Sequence, residues 1–270
     1  PTSILFYKDV GHSQEGAKEV TQLFDAGVFD GPKPVRLLTR LLTLANLKKD
    51  SIVLDFFSGS AATAHALMAR NAEDGGSRKF IMVQLPEATD EGGTAYKAGY
   101  RNICEIGKER IRRAGKKIKE ESQLTTQDLD TGFRVFRIDS GNYKDVTMQP
   151  NEYDQQMLDL FVDNIKADRT DLDLLFGAML AWGVQLSLPM TTEEVDGCKI
   201  YAVDGNGLVA CFAENISENV VQAMAAKQPL RVLFRDSCFD EDKTKINIFE
   251  RFKQQLDWDE KEAIQNIRVV

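Results

Sequence analysis

Asp55-Phe-Phe-Ser-Gly-Ser60 sets a carboxylate near the end of an apolar run and follows it with a glycine and two hydroxyls. That grouping suits holding a polar cofactor better than breaking a bond. Ile52 to Phe57 reads as a short, fully buried strand, Ser58-Gly59-Ser60 as a tight turn and Ala61 to Arg70 as a helix start. A strand, a small-residue turn and a helix N-terminus leave backbone N–H groups facing a ligand. Asp55 can accept hydrogen bonds from that ligand, so Asp55, Phe57, Gly59 and Ser60 are the candidate contacts. Many nucleotide-binding proteins share such a turn, and the turn alone does not name a cofactor. Glu87, just past the next apolar run, is either the acid that holds ribose hydroxyls or a solvated loop acid. His65 reads as packed or solvated, and His12 has no neighbour that would complete a triad.

The elements that must position these residues follow from periodicity and punctuation. A helix is expected around 15–24, and Pro34 suits the first turn of a leucine-rich helix over 35–47. Strand 52–57, helix 62–71, loop 72–77 and strand 79–85 make a parallel βαβ unit. The loop 86–94 is rich in glycine and acid. Ile103, Ile106, Ile111, Ala114 and Ile118 form the apolar stripe of a further helix. Its Lys108, Arg110, Arg112, Arg113, Lys116, Lys117 and Lys119 read as a solvated face ahead of a phosphate track.

Residues 121–131 are polar and aperiodic, a linker between a first domain over 1–120 and a second over 132–270. In the second, strands are expected at 133–138, 199–203, 208–212 and 230–234, and helices at 153–165, 171–185, from Ser217 and over 244–256. Asp204-Gly-Asn-Gly207 is a hairpin signal. Asp236 and Phe239 are expected to pack or form an interface, and Trp182 and Trp258 to anchor a core or an interface.

Composition excludes several classes. The 270 residues include 34 Lys and Arg against 42 Asp and Glu, a net charge of −8, which argues against an autonomous duplex-binding module. Four cysteines without ligand spacing and two histidines make a zinc site improbable and fit reduced thiols in a cytoplasm. No apolar run approaches membrane-spanning length.

Phe29-x-x-Pro-Lys-Pro-x-x-Leu-Leu followed by Asp-x-Phe-x-Gly-Ser resembles two consecutive motifs of the amino-methyltransferases that modify DNA adenines. The likeness is strongest to the modification subunit of type III restriction-modification systems. It extends to Gly11-His-Ser-Gln-Glu-Gly16, to Asn71 with Asp74-Gly-Gly-x-Arg-Lys-Phe80, and to Tyr96-Lys-x-Gly-Tyr100. Glu109-Arg-Ile-Arg-Arg113, Asp236-Ser-x-Phe239 and Lys245-x-Asn247 continue it. The family's turn usually reads Gly-Ser-Gly-Thr-Thr or Gly-Ser-Ala-Thr-Thr, where this chain has Ala61 and Ala62, which removes a threonine hydroxyl at position 62.

The resemblance implies a Rossmann-like α/β half-domain dependent on S-adenosylmethionine, followed by a smaller mixed α/β assembly domain. It implies that Lys33 and Pro34 border the cofactor's methionine end; the alternative for Lys33 is a helix-start surface lysine. The implied partners are DNA, a second copy of the methyltransferase and a helicase-nuclease restriction subunit. The family's Asp-Pro-Pro-Tyr-type catalytic motif is absent, because no two of the seven prolines are adjacent. In the family this motif precedes Pro-Lys-Pro, and the chain opens at Pro1 without Met, so the reading is a C-terminal portion, inactive alone. The alternatives are a subunit-interaction module that binds no cofactor and, more weakly, a nicotinamide-dependent oxidoreductase. Against the last, the turn lacks the third glycine of the dinucleotide fingerprint.

Overall fold

A computed structural model describes residues 4–121, 128–144, 164–239 and 242–270. The chain divides into two compact units, Pro1–Phe133 and Arg134–Val270. The helix expected at 153–165 falls almost wholly outside the described residues.

The first unit opens with the short helix α1 (Tyr7–Val10), then α2 (Ser13–Phe24) and α3 (Val35–Leu44). It continues through strand β1 (Ile52–Phe56), α4 (Ala62–Asp74), β2 (Lys79–Val83), α5 (Thr94–Lys97) and α6 (Ile103–Glu121). β1 and β2 pair in parallel, Ile52 opposite Lys79 and Phe56 opposite Val83, with α4 as the crossover. α4 is the hub of this unit. Its Ala66 and Leu67 meet Leu42 of α3, with Val53 and Phe80 of the sheet beside them. Its Ala64 and Met68 meet Ile111, Ala114 and Ile118 of α6.

β1 differs from the fully buried strand expected. Burial alternates along it, and Ile52, Leu54 and Phe56 stand 55–63% exposed on one face, joined by Ile81 of β2 at 51%. Val53 packs against the α3–α4 cluster and Phe80 joins it from β2, so only that face of the pair is covered. The run is apolar at both faces, as a parallel strand's is.

Several of the family-like motifs hold this frame together. His12 caps α2, its Nδ1 accepting from the Glu15 N–H at 3.3 Å. Gly16 lets the Pro-Lys-Pro segment lie on α2, since a β-carbon there would stand 2.1 Å from the Pro32 carbonyl oxygen. Asn71 brackets the α4–β2 turn, donating to the Arg78 carbonyl at 2.9 Å and accepting from its N–H at 3.2 Å. Arg78 closes that turn with two bonds of 2.9 Å to the Asp74 carboxylate, which hold the carboxyl below its ordinary pKa. The loop after β2 is fastened by Thr89, whose N–H donates to the Arg101 carbonyl at 3.0 Å and whose hydroxyl donates to Tyr100 O at 2.6 Å.

The second unit contains α7 (Asp171–Ala181), β3 (Met190–Val195), β4 (Cys198–Val203), β5 (Leu208–Cys211), α8 (Glu218–Ala226) and β6 (Val232–Phe234). A 3-10 turn (Asp236–Cys238), α9 (Asp242–Leu256), α10 (Glu260–Asn266) and β7 (Ile267–Val269) complete it. Its five strands lie in the order β3-β4-β5-β6-β7, antiparallel through β5 and parallel from β5 to β7. Ile200, Ala202, Val209, Cys211, Val232 and Phe234 face α8 and α9. Tyr201, Val203, Leu208, Ala210 and Leu233 face α7. Both faces of this sheet are covered. Trp182 and Trp258 each pack on the edge of one of these cores.

Three expectations are corrected here. Residues 133–138 form no strand: the Arg134 guanidinium donates to the carbonyls of Leu186 and Leu188, and Phe136 packs edge-on to Phe176 at 4.9 Å. α7 stops at Ala181 rather than 185, because Gly183 turns the chain with φ +67°. α3 stops at Leu44, three residues short, where Asn46 takes φ +51°. Among the described residues no helix is long and apolar enough to cross a membrane, and no His, Cys, Asp and Glu cluster could hold a metal.

Candidate cofactor-binding site

Parallel strands end at the same edge, so the turn after β1 and the chain after β2 leave the sheet side by side. The Ser58 N–H donates to the Val83 carbonyl at 3.0 Å, and the Gly59 N–H donates to Gln84 Oε1 at 2.8 Å. Gly59 sits at φ +53°, a conformation that costs an L side chain, and an added β-carbon would stand 3.2 Å from the Phe29 ring. Ala61 also takes the left-handed conformation, with its N–H bonded to Ser58 O at 2.8 Å, and no side chain caps α4. The first-turn N–H groups of α4 thus begin without a side-chain partner of their own, as at a helix start that receives a polar ligand.

Asp55 reaches this turn from β1, its Oδ2 accepting from Thr63 Oγ1 at 2.5 Å. Thr63 therefore supplies the hydroxyl at the helix start although position 62 is alanine. Phe57 stands 64% exposed beside the turn with its ring open to solvent. Ser60 is buried, and its Oγ accepts from Arg110 Nη1 at 2.8 Å.

The structure joins the Pro-Lys-Pro segment to the same turn by two routes. Phe29 lies over Gly59. Pro34 is the buried residue ahead of α3, and the next N–H, that of Val35, donates to both oxygens of Glu19 at 3.1 and 3.0 Å. Glu19 Oε2 also stands 3.5 Å from Nη2 of Arg110, which closes the link to Ser60. Burial of Glu19 raises its pKa, against the Val35 bond and the Arg110 charge. Lys33 and Glu87 are exposed. Glu87 follows β2, and its carbonyl accepts from the Ile103 N–H at 3.0 Å.

Thr63, Gln84, Glu19 and Arg110 escaped the sequence reading. Arg110 belongs to the basic residues expected on the solvated face of α6, yet its side chain is fully buried. Its place on the stripe between Ile106 and Ala114 was the available signal. Arg112, Lys116 and Lys117 are exposed as expected, pairing with Glu109, Glu120 and Glu121, whereas half-buried Arg113 pairs with Glu109 and donates to the Leu23 carbonyl at 2.9 Å. His65 is packed. Burial first, then the charges of Arg110 and Lys117, push its pKa down to about 3, which leaves the ring neutral at pH 7.

A family profile described as DNA methylase matches residues 4–115. The Mod subunit of the type III restriction-modification enzyme StyLTI of Salmonella typhimurium is 46% identical over 132 residues, covering 49% of this chain and 20% of that protein. The EcoPI Mod subunit of Escherichia phage P1 is 33% identical over 231 residues, covering 83% of this chain and 33% of that protein. The type II methyltransferase M.KpnI of Klebsiella pneumoniae is 37% identical over 95 residues, covering 35% of this chain and 22% of that protein. The chain thus spans about a fifth to a third of the length of these curated relatives. The β1 to α4 turn that carries Asp55, Gly59 and Ser60 lies within the matched residues; residues 4–115 are similar to the DNA methylase family, and the chain is a relative of type III Mod subunits.

Proposed function

We propose that this chain is the cofactor-binding and C-terminal part of an adenine-N6 DNA methyltransferase of a type III system, with S-adenosylmethionine as methyl donor. The observation that carries the reading is the turn at the carboxyl edge of β1 and β2: an acid, an exposed aromatic ring and an uncapped helix start converge there. Those groups fit the donor chemically. Asp55 would accept from its ammonium group, and Lys33 with Pro34 would border its methionine end. Phe57 offers a flat apolar surface to its purine, and Glu87 an acid to its ribose hydroxyls. When bound, the donor supplies an activated methyl group to the exocyclic amine of a flipped-out base. This chain's residues bind and orient; the polar clamp on adenine belongs to an Asp-Pro-Pro-Tyr-type segment that its sequence lacks.

The open apolar face of β1 and β2 supports the same reading, because parallel sheets are covered on both faces in α/β domains. In the parent protein a further segment of polypeptide covers it and makes the Rossmann-like sheet complete. The second unit then serves assembly with another methyltransferase copy or the restriction subunit.

Calorimetric titration with S-adenosylmethionine, S-adenosylhomocysteine and NAD tests the assignment. The expected result is weak binding of the first two, none of NAD, and loss of binding in Gly59→Leu. Equal binding by Gly59→Leu overturns the site. The chain alone is expected to transfer no methyl group to DNA, and labelled methyl incorporation above background would refute that. Deleting residues 132–270 from the parent should impair assembly while sparing site preference; normal assembly with altered preference would refute the role of the second unit.

A further inference from the structure

We propose that Arg110 is a positioning residue of the methyl-donor site, setting the turn Ser58–Ala61 in register with the Pro-Lys-Pro start of α3. This rests on the cofactor reading above and goes beyond it in naming what holds the two motifs together.

Arg110 is fully buried on α6, the largest side chain so placed among the described residues. Its fork makes two contacts on different elements. Nη1 donates to Ser60 Oγ at 2.8 Å, in the turn after β1. Nη2 stands 3.5 Å from Oε2 of Glu19, on α2. Glu19 in turn takes the Val35 N–H on both oxygens, at the first residue of α3. One guanidinium and one carboxylate thus connect four elements, and the donor motifs lie at the two ends of that chain of bonds. Gly107, one turn before Arg110 on α6, lies against the turn Ser58–Ala61. A β-carbon there would stand 3.4 Å from the Gly59 carbonyl oxygen and 3.6 Å from the Ala61 β-carbon.

Burying an arginine is costly, and a well-packed apolar side chain of similar volume often serves stability as well or better. Arg110 Nε has no hydrogen-bond partner, which adds to that cost. What a methionine cannot supply is direction: the planar fork fixes the angle between two acceptors. The value of the residue at this position is therefore geometric. It holds Ser60 and the start of α3 at a set separation before a ligand arrives, which lowers the ordering cost of binding.

The test uses the 270-residue chain with Arg110→Met, Arg110→Lys, Ser60→Ala and the double variant Arg110→Met with Ser60→Ala. Titration with S-adenosylhomocysteine should show Kd raised about tenfold or more in Arg110→Met. Arg110→Lys, which keeps the charge and loses the fork, should fall with it. The double variant should be no weaker than Arg110→Met, since both changes break one link. Amide hydrogen exchange without ligand is the second readout. Val35 and the turn Ser58–Ala61 should exchange faster in Arg110→Met, while the centre of α4 stays protected. Wild-type Kd in Arg110→Met, full rescue by Arg110→Lys, additive losses in the double variant, or unchanged exchange at Val35 and the turn would each overturn the proposal. If wild type binds no S-adenosylhomocysteine but exchange responds as stated, the cofactor reading falls and the positioning link stands.

Discussion

The two units carry apolar sheets, one a parallel pair and the other mixed, that ended up in opposite circumstances. In the second unit β4, β5 and β6 are buried from Ile200 to Val203, Leu208 to Cys211 and Val232 to Phe234, with α7 on one face and α8 and α9 on the other. In the first unit β1 is just as apolar, but Ile52, Leu54 and Phe56 face solvent. The same kind of sequence is a closed core in one place and an open surface in the other. Apolar composition marks a strand whose two faces are meant to be covered; it does not say which polypeptide segment covers them. The candidate site sits in the open unit and not in the closed one.

The largest expected effect is in the closed sheet. Phe234 is fully buried at the end of β6, with Phe239 at 5.4 Å and Phe252 at 5.9 Å between ring centroids. Phe234→Ala should cost about 3–5 kcal/mol, the usual range for deleting a buried ring. Both tryptophans, Trp182 and Trp258, belong to this unit, so denaturant unfolding followed by their fluorescence reports it alone. A loss below about 1 kcal/mol would mean that the sheet is not closed as described.

That contrast also marks how far the sequence could be read. The βαβ order, the Asp55–Ser60 turn, the β4–β5 hairpin and the Ser217 cap were all legible, because each rests on local signals: short apolar runs, small turn residues or a capping hydroxyl. β3 was missed since Met-Thr-Thr-Glu-Glu-Val lies on the sheet edge, mostly exposed, and has no alternation to see. β7 was missed because three residues directly after a helix carry no period of their own. Phe133 to Ile138 has a strand's composition, yet Arg134 and Phe136 settle on other partners, a tertiary choice that no local pattern records. Arg110 shows the same limit at the site: a charged residue type is read as exposed, and its acceptors Ser60 and Glu19 lie 50 and 91 positions away.

The next effect separates the units by pH. His65, on α4 of the first unit, is held neutral by burial with a pKa of about 3, against about 6.5 when unfolded. A depressed pKa means that the unfolded chain binds the proton more tightly. The stability this group contributes is present above about pH 6.5 and is lost as pH falls toward 3, at up to about 1.4 kcal/mol per pH unit. Circular dichroism should therefore show helix loss on acidification, and His65→Gln should move that loss to lower pH. Tryptophan fluorescence of the second unit should change little with this substitution. An acid transition identical in wild type and His65→Gln would show that the ring is not buried as described.

The smallest effect is the sharpest test of the comparison, because it pairs adjacent residues on one strand. Val53 points into the cluster formed with Leu42, Ala66 and Leu67, whereas Leu54 is 55% exposed on the open face. Threonine has the β-branched shape that suits a strand and carries a hydroxyl. At position 53 the hydroxyl enters an apolar cluster, and Val53→Thr should cost about 1–2 kcal/mol. At position 54 it meets water, and Leu54→Thr should change the stability of this chain by no more than about 0.5 kcal/mol. Self-association at high concentration should fall with Leu54→Thr, since an exposed apolar sheet surface is the site at which copies would stick. Hydrogen exchange of the β1 and β2 amides, with sedimentation for self-association, measures both. A cost above 1 kcal/mol for Leu54→Thr would mean that this face is already covered within the chain. The two sheets would then differ in size alone and not in completeness.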